Sequence, residues 1–268
     1  MSISLSRLSL NQLTVEPWGV REAAAACARH GVEWIGLWRH KIAEIGLEES
    51  VAAVRGAGLK VSALCRGGMF PAATAEERAR RIEDNKVAVD EAVALGTNLL
   101  VLVCGPAPDR DLDGARAMVE DGIAAVAPYA RERGVKLGIE PLHPMFCADR
   151  SVISTLGQAN ELAARLDVGV VIDVYHVWWD PNLYAEIARA SGRILGFHVN
   201  DWIAPPPEHL KGRAMMGDGV IEIRRMREAV DAAGYLGPIE VEIFNRELQA
   251  MPGDAVMKLM LERSALTV

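Results

Sequence analysis

Four apolar, β-type runs in the second half of the sequence end in side chains that can bind a metal ion or carry a proton. If these runs are parallel strands, their ends meet on one face, where three carboxylates would repel one another unless a cation balances them. Oxygen ligands with a single imidazole suit Mn²⁺, Mg²⁺, Co²⁺ or Fe²⁺ better than structural zinc. We therefore predict a site for one divalent ion, Mn²⁺ first among these, at Glu140, Asp173, His198 and Glu242.

Eight such runs, each followed by a segment with helical periodicity, account for most of the chain. They are short and rich in Val, Ile and Leu, as expected for strands that are covered on both faces. Parallel strands need helical crossovers, so eight β–α units predict an α/β fold, a (β/α)₈ TIM barrel. We expect one domain over residues 1–268, with the active site at the carboxyl ends of strands five to eight. The runs lie near residue 8 and at 32–38, 60–65, 98–104, 135–140, 168–174, 193–199 and 238–244.

Glycines follow most of the helical segments, which is the usual signal for a helix C-terminus. The alternative architecture, a doubly wound open sheet, would carry a glycine-rich phosphate turn after its first strand, and none follows the run near residue 8. The barrel is therefore the preferred fold. Because nothing in the sequence resembles a nucleotide site, we expect no nucleotide cofactor and no hydride transfer.

Charge and composition narrow the range of partners. The 268 residues include 29 basic and 36 acidic side chains, and the net charge of −7 disfavours a general nucleic-acid binder. No segment reaches the roughly 18 apolar residues of a membrane span. Four scattered cysteines without a CxxC pair are expected to be reduced thiols. We expect a cytoplasmic protein that binds a small molecule, has no nucleic-acid or membrane partner, and assembles as a homo-oligomer.

The motifs at the last four strand ends resemble those of the xylose-isomerase-like barrels. These motifs are EP at Glu140, DxxH from Asp173 to His176, HxxD from His198, and a final Glu242. The resemblance implies that the four predicted ligands bind the metal and that Glu140 and Glu242 also carry protons. It further implies that His176 binds substrate, as does Arg213 in the sequence GRAMMGDG.

Members of this superfamily include keto-sugar epimerases, inosose isomerases, dehydratases and endonuclease IV. The resemblance implies an isomerase or epimerase that removes a proton next to the carbonyl of a keto sugar or cyclitol ketone, through a metal-stabilised enediolate. Endonuclease IV remains a remote alternative, because its three-metal cluster needs several more histidines than this chain offers. A barrel kept only for binding would be expected to lack part of the ligand set.

His143, three residues after Glu140, favours a second reaction class. An imidazole beside a metal site could act as a base near pH 7. His143 would then suit a lyase or dehydratase that expels a β-substituent from a 3-keto sugar or 3-keto glycoside. Some relatives with this reaction work with a partner subunit, so this alternative would make the protein a hetero-oligomer. His143 could equally cap a helix in the fifth loop, and the sequence leaves both roles open.

Further side chains near the predicted mouth could contact the substrate. Trp178 is a candidate to stack on a sugar face, as is Trp38 after the second strand. Arg66 ends the third strand and could reach the substrate or have a structural role. The segment 200–220 is long for a connection and is typical of a lid or a partner surface.

Two charged residues are expected one layer deeper in the barrel. Glu240 precedes Glu242 by two positions, and Lys136 precedes Glu140 by four. Because side chains alternate along a strand, both Glu240 and Lys136 should point inward. The pattern predicts a buried Lys136–Glu240 pair that supports the ligands.

Overall fold

Short parallel strands close into a barrel in the computed structural model, which describes residues 5–268. Eight strands are hydrogen-bonded in the closed order β1-β10-β7-β6-β5-β4-β3-β2, and two more form a separate antiparallel ribbon, β8–β9. This confirms the predicted (β/α)₈ TIM barrel. The strands are β1 (Leu8–Asn11), β2 (Trp34–Trp38), β3 (Lys60–Gly68), β4 (Leu99–Val103), β5 (Lys136–Ile139), β6 (Gly169–Asp173), β7 (Ile194–Val199), β8 (Asp201–Trp202), β9 (Arg213–Ala214) and β10 (Ile239–Val241).

Helices connect the strands and cover the outside of the barrel. Glycines in the left-handed conformation end two of them as predicted, with φ of 72° at Gly31 and 77° at Gly96. The α-helices are α1 (Val20–His30), α2 (Arg39–Ala43), α3 (Leu47–Gly56), α4 (Ala75–Leu95), α5 (Leu112–Glu132), α6 (Leu156–Leu166), α7 (Val174–Val177), α8 (Leu183–Arg189), α9 (Ile223–Ala232), α10 (Arg246–Ala250) and α11 (Gly253–Thr267). Short 3₁₀ turns cover Leu5–Arg7, Gln12–Val15 and Pro144–Phe146.

Two apolar layers hold the fold together. The larger lies between strands and helices, and a smaller cluster forms from Ala63, Cys65, Leu99, Val101 and Val171. Every residue of β4 is buried, which explains why this run is continuously apolar rather than alternating. Full burial of each Leu or Val stabilises the fold by about 1.5–3 kcal/mol.

Strand register brings the chemically active residues to one end of the barrel. Asp173 on β6 pairs with His198 on β7, and His198 pairs in turn with Glu240 on β10. Strand β10 is shorter than the predicted 238–244, so Glu242 follows it directly, just as Glu140 follows β5. The carboxyl ends of β5, β6, β7 and β10 therefore share one rim, as a barrel requires.

The four cysteines are free in the structure, as their scattered positions predict. Cys27, Cys65, Cys104 and Cys147 are all free thiols, and the first three are buried. No helix within residues 5–268 is both long enough and apolar enough to cross a bilayer.

Candidate metal centre

The four side chains predicted as metal ligands meet at the carboxyl end of the barrel. Each contributes one potential ligand atom, and these atoms lie within 4.8 Å of one another. All four side chains are buried, and each comes from a different strand or the residue directly after it, so the barrel fixes their separation. The structure thus brings together Glu140, Asp173, His198 and Glu242, which could hold a metal ion.

Unsatisfied polar atoms in this cluster fit a metal ion. Nδ1 of His198 lies 3.5 Å from Oε1 of Glu140 and 3.6 Å from Oε2 of Glu242, too far for good hydrogen bonds. Within the described residues, Oε1 of Glu140 and Nδ1 of His198 are buried without a hydrogen-bond partner. Buried polar atoms normally have partners, and a shared cation would satisfy both.

The electrostatics of the cluster also favour a cation. Burial and the negative charge of Glu242 raise the pKa of Glu140 to about 7. Burial alone would lower the pKa of His198. The surrounding carboxylates, with the charge of Glu240 as the largest single contribution, outweigh this effect and raise the pKa of His198 well above its ordinary value. Carboxylates at such close range compete for positive charge, which a divalent ion supplies.

Two asparagines orient the carboxylates. The Asn200 amide donates to Oδ1 of Asp173 at 2.9 Å and to the backbone oxygen of Glu242 at 3.1 Å. The Asn11 amide donates to Oε1 of Glu242 at 3.0 Å and to Oε1 of Glu240 at 2.6 Å. These contacts fix the carboxylate rotamers, as outer partners of metal ligands commonly do.

The predicted pair between Lys136 and Glu240 is wrong. Glu240 is buried one layer below Glu242 as expected, but it accepts hydrogen bonds from Asn11 and from the Ser62 hydroxyl at 2.6 Å. Lys136 is the first residue of β5 and is exposed at the other end of that strand. Lys136 lies four residues before Glu140, and the rise along the strand places it outside the barrel interior. The neutral side chains of Asn11 and Ser62 therefore support Glu240 instead.

Arg213 enters the cluster from the β8–β9 ribbon, which occupies part of the segment predicted as a long loop. Its Nη1 atom donates to Oδ2 of Asp173 at 2.7 Å and to Oε2 of Glu242 at 2.8 Å. Although burial opposes it, the charge of Arg213 lowers the pKa of Asp173 below its ordinary value. Nε of Arg213 is buried and has no hydrogen-bond partner among the described residues.

His176 is held as a neutral imidazole beside Arg213. Burial lowers the pKa of His176 to about 3. Its Nδ1 atom faces the backbone N–H of His143 at 3.2 Å, and its Nε2 atom faces the Arg213 guanidinium, so each ring nitrogen is placed against a donor. Nε2 lies 3.2 Å from Nη2 of Arg213 and 3.8 Å from Oδ2 of Asp173. The predicted substrate-binding residues His176 and Arg213 are therefore adjacent.

The side chain of His143 caps the short turn Pro144–Phe146. Its Nδ1 atom accepts the backbone N–H of Met145 at 3.2 Å, and its ring centre lies 5.0 Å from that of Trp202. These contacts correspond to the capping role that the sequence left open. The residues that line the cavity beside the metal cluster do not include His143.

Trp38, rather than Trp178, lines the cavity beside the metal cluster. This cavity is also bordered by Arg66, Val103, Glu140, Leu142, Phe146, Arg150, His176, Leu210, Arg213, Glu242 and Phe244. The ring of Trp178 instead packs 5.5 Å from that of Trp202. A role for Trp178 in substrate binding stays a prediction.

Sequence reasoning missed three polar residues around the centre, namely Asn11, Asn200 and Arg150. Asn200 lies within the HxxD motif, and Asn11 is the one amide in the first strand, β1. These positions are weak sequence indications that both residues lie near the centre. Arg150 lies in an irregular segment after the fifth strand, where no pattern marks it.

The chain belongs to the family of xylose isomerase-like TIM barrels, whose family model matches residues 24–263. A crystal structure of protein SMc04130 from Sinorhizobium meliloti 1021 shares 48% identity and a TM-score of 0.95, covering 97% of this chain and 98% of that one.

Curated relatives carry names from two reaction classes. The 3-dehydroshikimate dehydratase of Pseudomonas aeruginosa is 28% identical over 197 residues, which are 68% of this chain and 29% of that enzyme. The L-ribulose-5-phosphate 3-epimerase UlaE of Salmonella paratyphi A is 25% identical over 206 residues, which are 73% of this chain and 68% of that enzyme. The chain thus spans less than a third of the dehydratase and about two thirds of the epimerase.

Proposed function

We propose that this protein is a divalent-metal-dependent isomerase or epimerase of a keto sugar or cyclitol ketone. Glu140, Asp173, His198 and Glu242 would hold one ion, and their three carboxylates with one imidazole favour Mn²⁺, with Mg²⁺, Co²⁺ or Fe²⁺ as further candidates. The observation that carries the proposal is the convergence of four potential ligand atoms, from buried side chains, within 4.8 Å; two of them belong to the glutamates directly after β5 and β10.

The chain's own residues supply proton transfer and positioning. When bound, the ion would polarise the substrate carbonyl and stabilise the negative charge that develops as the neighbouring C–H bond breaks. Glu140 and Glu242 would take a proton from one carbon and return one, because both carboxylates border the substrate cavity. Arg213 and the adjacent neutral His176, which both line the cavity, would orient substrate oxygens. Burial of all four residues would exclude water from the proton-transfer step.

A lyase that expels a β-substituent from a 3-keto sugar or glycoside is the second candidate. The relative named 3-dehydroshikimate dehydratase, at 28% identity, favours it. Against it, the imidazole proposed as the extra base caps a turn and packs on tryptophan. The relative named as a 3-epimerase, which is matched over more of its own length, favours the isomerase.

Proton NMR in D₂O tests the proposal. The Mg²⁺-loaded protein is incubated with 2-keto hexoses, inososes, L-ribulose 5-phosphate and 3-keto glycosides. Deuterium at the carbon next to the carbonyl, together with an isomeric product, is expected for the wild type and for Glu132→Gln on the exposed side of α5. Glu140→Gln should abolish the exchange. An unsaturated ketone with release of water or an aglycone would establish the lyase instead, and no exchange with any ketone would contradict both.

A further inference from the structure

Two arginines besides Arg213 line the cavity beside the metal cluster. Arg66, in β3, and Arg150, after the turn Pro144–Phe146, line this cavity with Glu140 and Glu242. Arg66 and Trp38 also border a second cavity of about 290 Å³. Arg66 therefore lies where the two cavities adjoin, at the position that a substrate extending from the metal cluster would reach.

Neither arginine has the partners that a partly buried guanidinium normally finds. Arg66 makes no hydrogen bond or ion pair with any of the described residues 5–268, and burial, followed by the like charge of Arg150, lowers the pKa of its guanidinium. Arg150 has a buried Nε without a hydrogen-bond partner, and its one ion-pair contact within these residues is to Oδ2 of Asp149 at 3.6 Å.

A nearby arginine shows how the fold satisfies a structural guanidinium. Arg39, directly after β2, donates to Oδ2 of Asp84 at 2.8 Å and to Oε2 of Glu91 at 2.5 Å. Arg66 lines the same second cavity as Asp84, yet it makes no hydrogen bond to that carboxylate. The missing partner of Arg66 is thus not explained by a lack of carboxylates in this part of the protein.

The backbone holds both arginines in place. Arg150 accepts a hydrogen bond from the Gly105 N–H at 2.9 Å and donates its own N–H to Phe146 at 2.9 Å. The end of β3 is fixed by Asn85, whose Oδ1 accepts the Gly68 N–H at 2.6 Å. Two like charges held on a fixed backbone repel each other. A bound anion between the two guanidiniums would relieve this repulsion and so favour the complex over the free protein.

We propose that Arg66 and Arg150 together bind an anionic oxygen group of the ketone substrate, a carboxylate or a phosphate, and so select charged over uncharged substrates. This inference rests on the proposed function, because it assigns the substrate class of that site. Two guanidiniums present enough N–H donors to hold both oxygens of a carboxylate or three of a phosphate.

Calorimetric titration with two matched pairs of compounds tests the inference. The Mg²⁺-loaded protein is titrated with 3-dehydroshikimate and its methyl ester, and with L-ribulose 5-phosphate and L-ribulose. The charged member of at least one pair is expected to bind at least about tenfold more tightly, as charge-assisted bonds provide. Preference within the first pair alone identifies a carboxylate, and preference within the second alone identifies a phosphate.

Variants assign the preference to the two arginines. Arg66→Gln and Arg150→Gln should each remove most of the preference, whereas Arg55→Gln, on the exposed surface of α3, should leave it intact. Arg66 has no hydrogen bond or ion pair to lose within the described residues, so its variant should keep the wild-type melting temperature and Mg²⁺ affinity. Equal binding within both pairs, no binding of either charged compound, or an undiminished preference in both variants would overturn the inference.

Failure of this inference is distinguishable from failure of the proposed function. Arg66-dependent binding of a charged ketone without deuterium exchange would contradict the proposed function and leave the anion site standing. Equal exchange rates for charged and uncharged ketones would support the function and overturn the anion site.

Discussion

The Nη1 atom of Arg213 lies 2.7 Å from Oδ2 of Asp173, and both side chains are almost completely buried. The same nitrogen lies 2.8 Å from Oε2 of Glu242, so one guanidinium bridges two of the four candidate ligands. A buried carboxylate needs a compensating charge, and Arg213 supplies it from the ribbon above the barrel. A divalent ion held by the same oxygens would share that task with Arg213.

This bridge predicts that Arg213→Gln destabilises the protein most when no metal is present. With a chelator, the variant should lose about 3–5 kcal/mol in free energy of unfolding, because two buried carboxylates lose their partner. Saturating Mn²⁺ should reduce the loss, since the ion neutralises the same charges and binds only the folded state. Urea unfolding with EDTA and with Mn²⁺ measures both values.

The surface variant Arg225→Gln is the matched control for this comparison. Arg225 pairs with Glu222 at 2.9 Å, but both side chains are well exposed. Its loss should stay within about 1 kcal/mol in either condition. If Arg213→Gln lost the same free energy with and without Mn²⁺, Arg213 and the ion would not share these carboxylates.

Gly36 leaves room for the carboxylate that lies beneath the ligands. A Cβ atom at this position would lie 2.0 Å from Oε1 of Glu240, which hydrogen bonds from Asn11 and Ser62 hold in place. Gly36→Ala should therefore cost about 2–4 kcal/mol in free energy of unfolding, through overpacking and lost buried hydrogen bonds. Thermal or urea unfolding checks this value.

Gly56→Ala is the counterpart in open space. Nothing lies within 4 Å of a Cβ atom there, and Gly56 is the last residue of α3. The alanine should be neutral or stabilise the protein by up to about 1 kcal/mol, because it restricts the unfolded chain. Similar stability for both variants would show that Glu240 can move aside without cost.

His143→Ala distinguishes the two reaction classes. As a cap, the imidazole contributes about 1 kcal/mol to stability, and its loss should leave deuterium exchange largely unchanged. His143→Asn, which keeps a capping side chain, should restore the stability. NMR exchange rates and melting temperatures of both variants give the answer. A loss of activity of about a hundredfold or more in both, with the fold intact, would make His143 an acid–base group and favour the lyase.

The barrel and its ligand cluster follow from local sequence patterns. Continuous apolar runs such as β4 predict strands covered on both faces, and residues at the ends of parallel strands must share a rim. Glu140, Asp173, His198 and Glu242 each lie at such an end, so their convergence follows from these positions once the runs are taken as parallel strands of a closed barrel.

Contacts between distant segments could not be predicted in the same way. The pairing expected for Lys136 failed because its distance along the strand, rather than its inward direction, sets its burial. The bridge from Arg213 to Asp173 depends on the fold of the β8–β9 ribbon, and the position of Arg150 depends on an irregular segment. Neither segment has a periodicity from which its path could be derived.

Titration with Mn²⁺, followed by electron paramagnetic resonance, tests the central claim most directly. The wild type and Glu132→Gln are expected to bind one ion per chain, while Asp173→Asn and Glu242→Gln should each weaken binding by about a hundredfold or more, since each removes a charged oxygen ligand. No stoichiometric binding to the wild type, or unchanged affinity in both ligand variants, would contradict the assignment of this cluster as a metal centre.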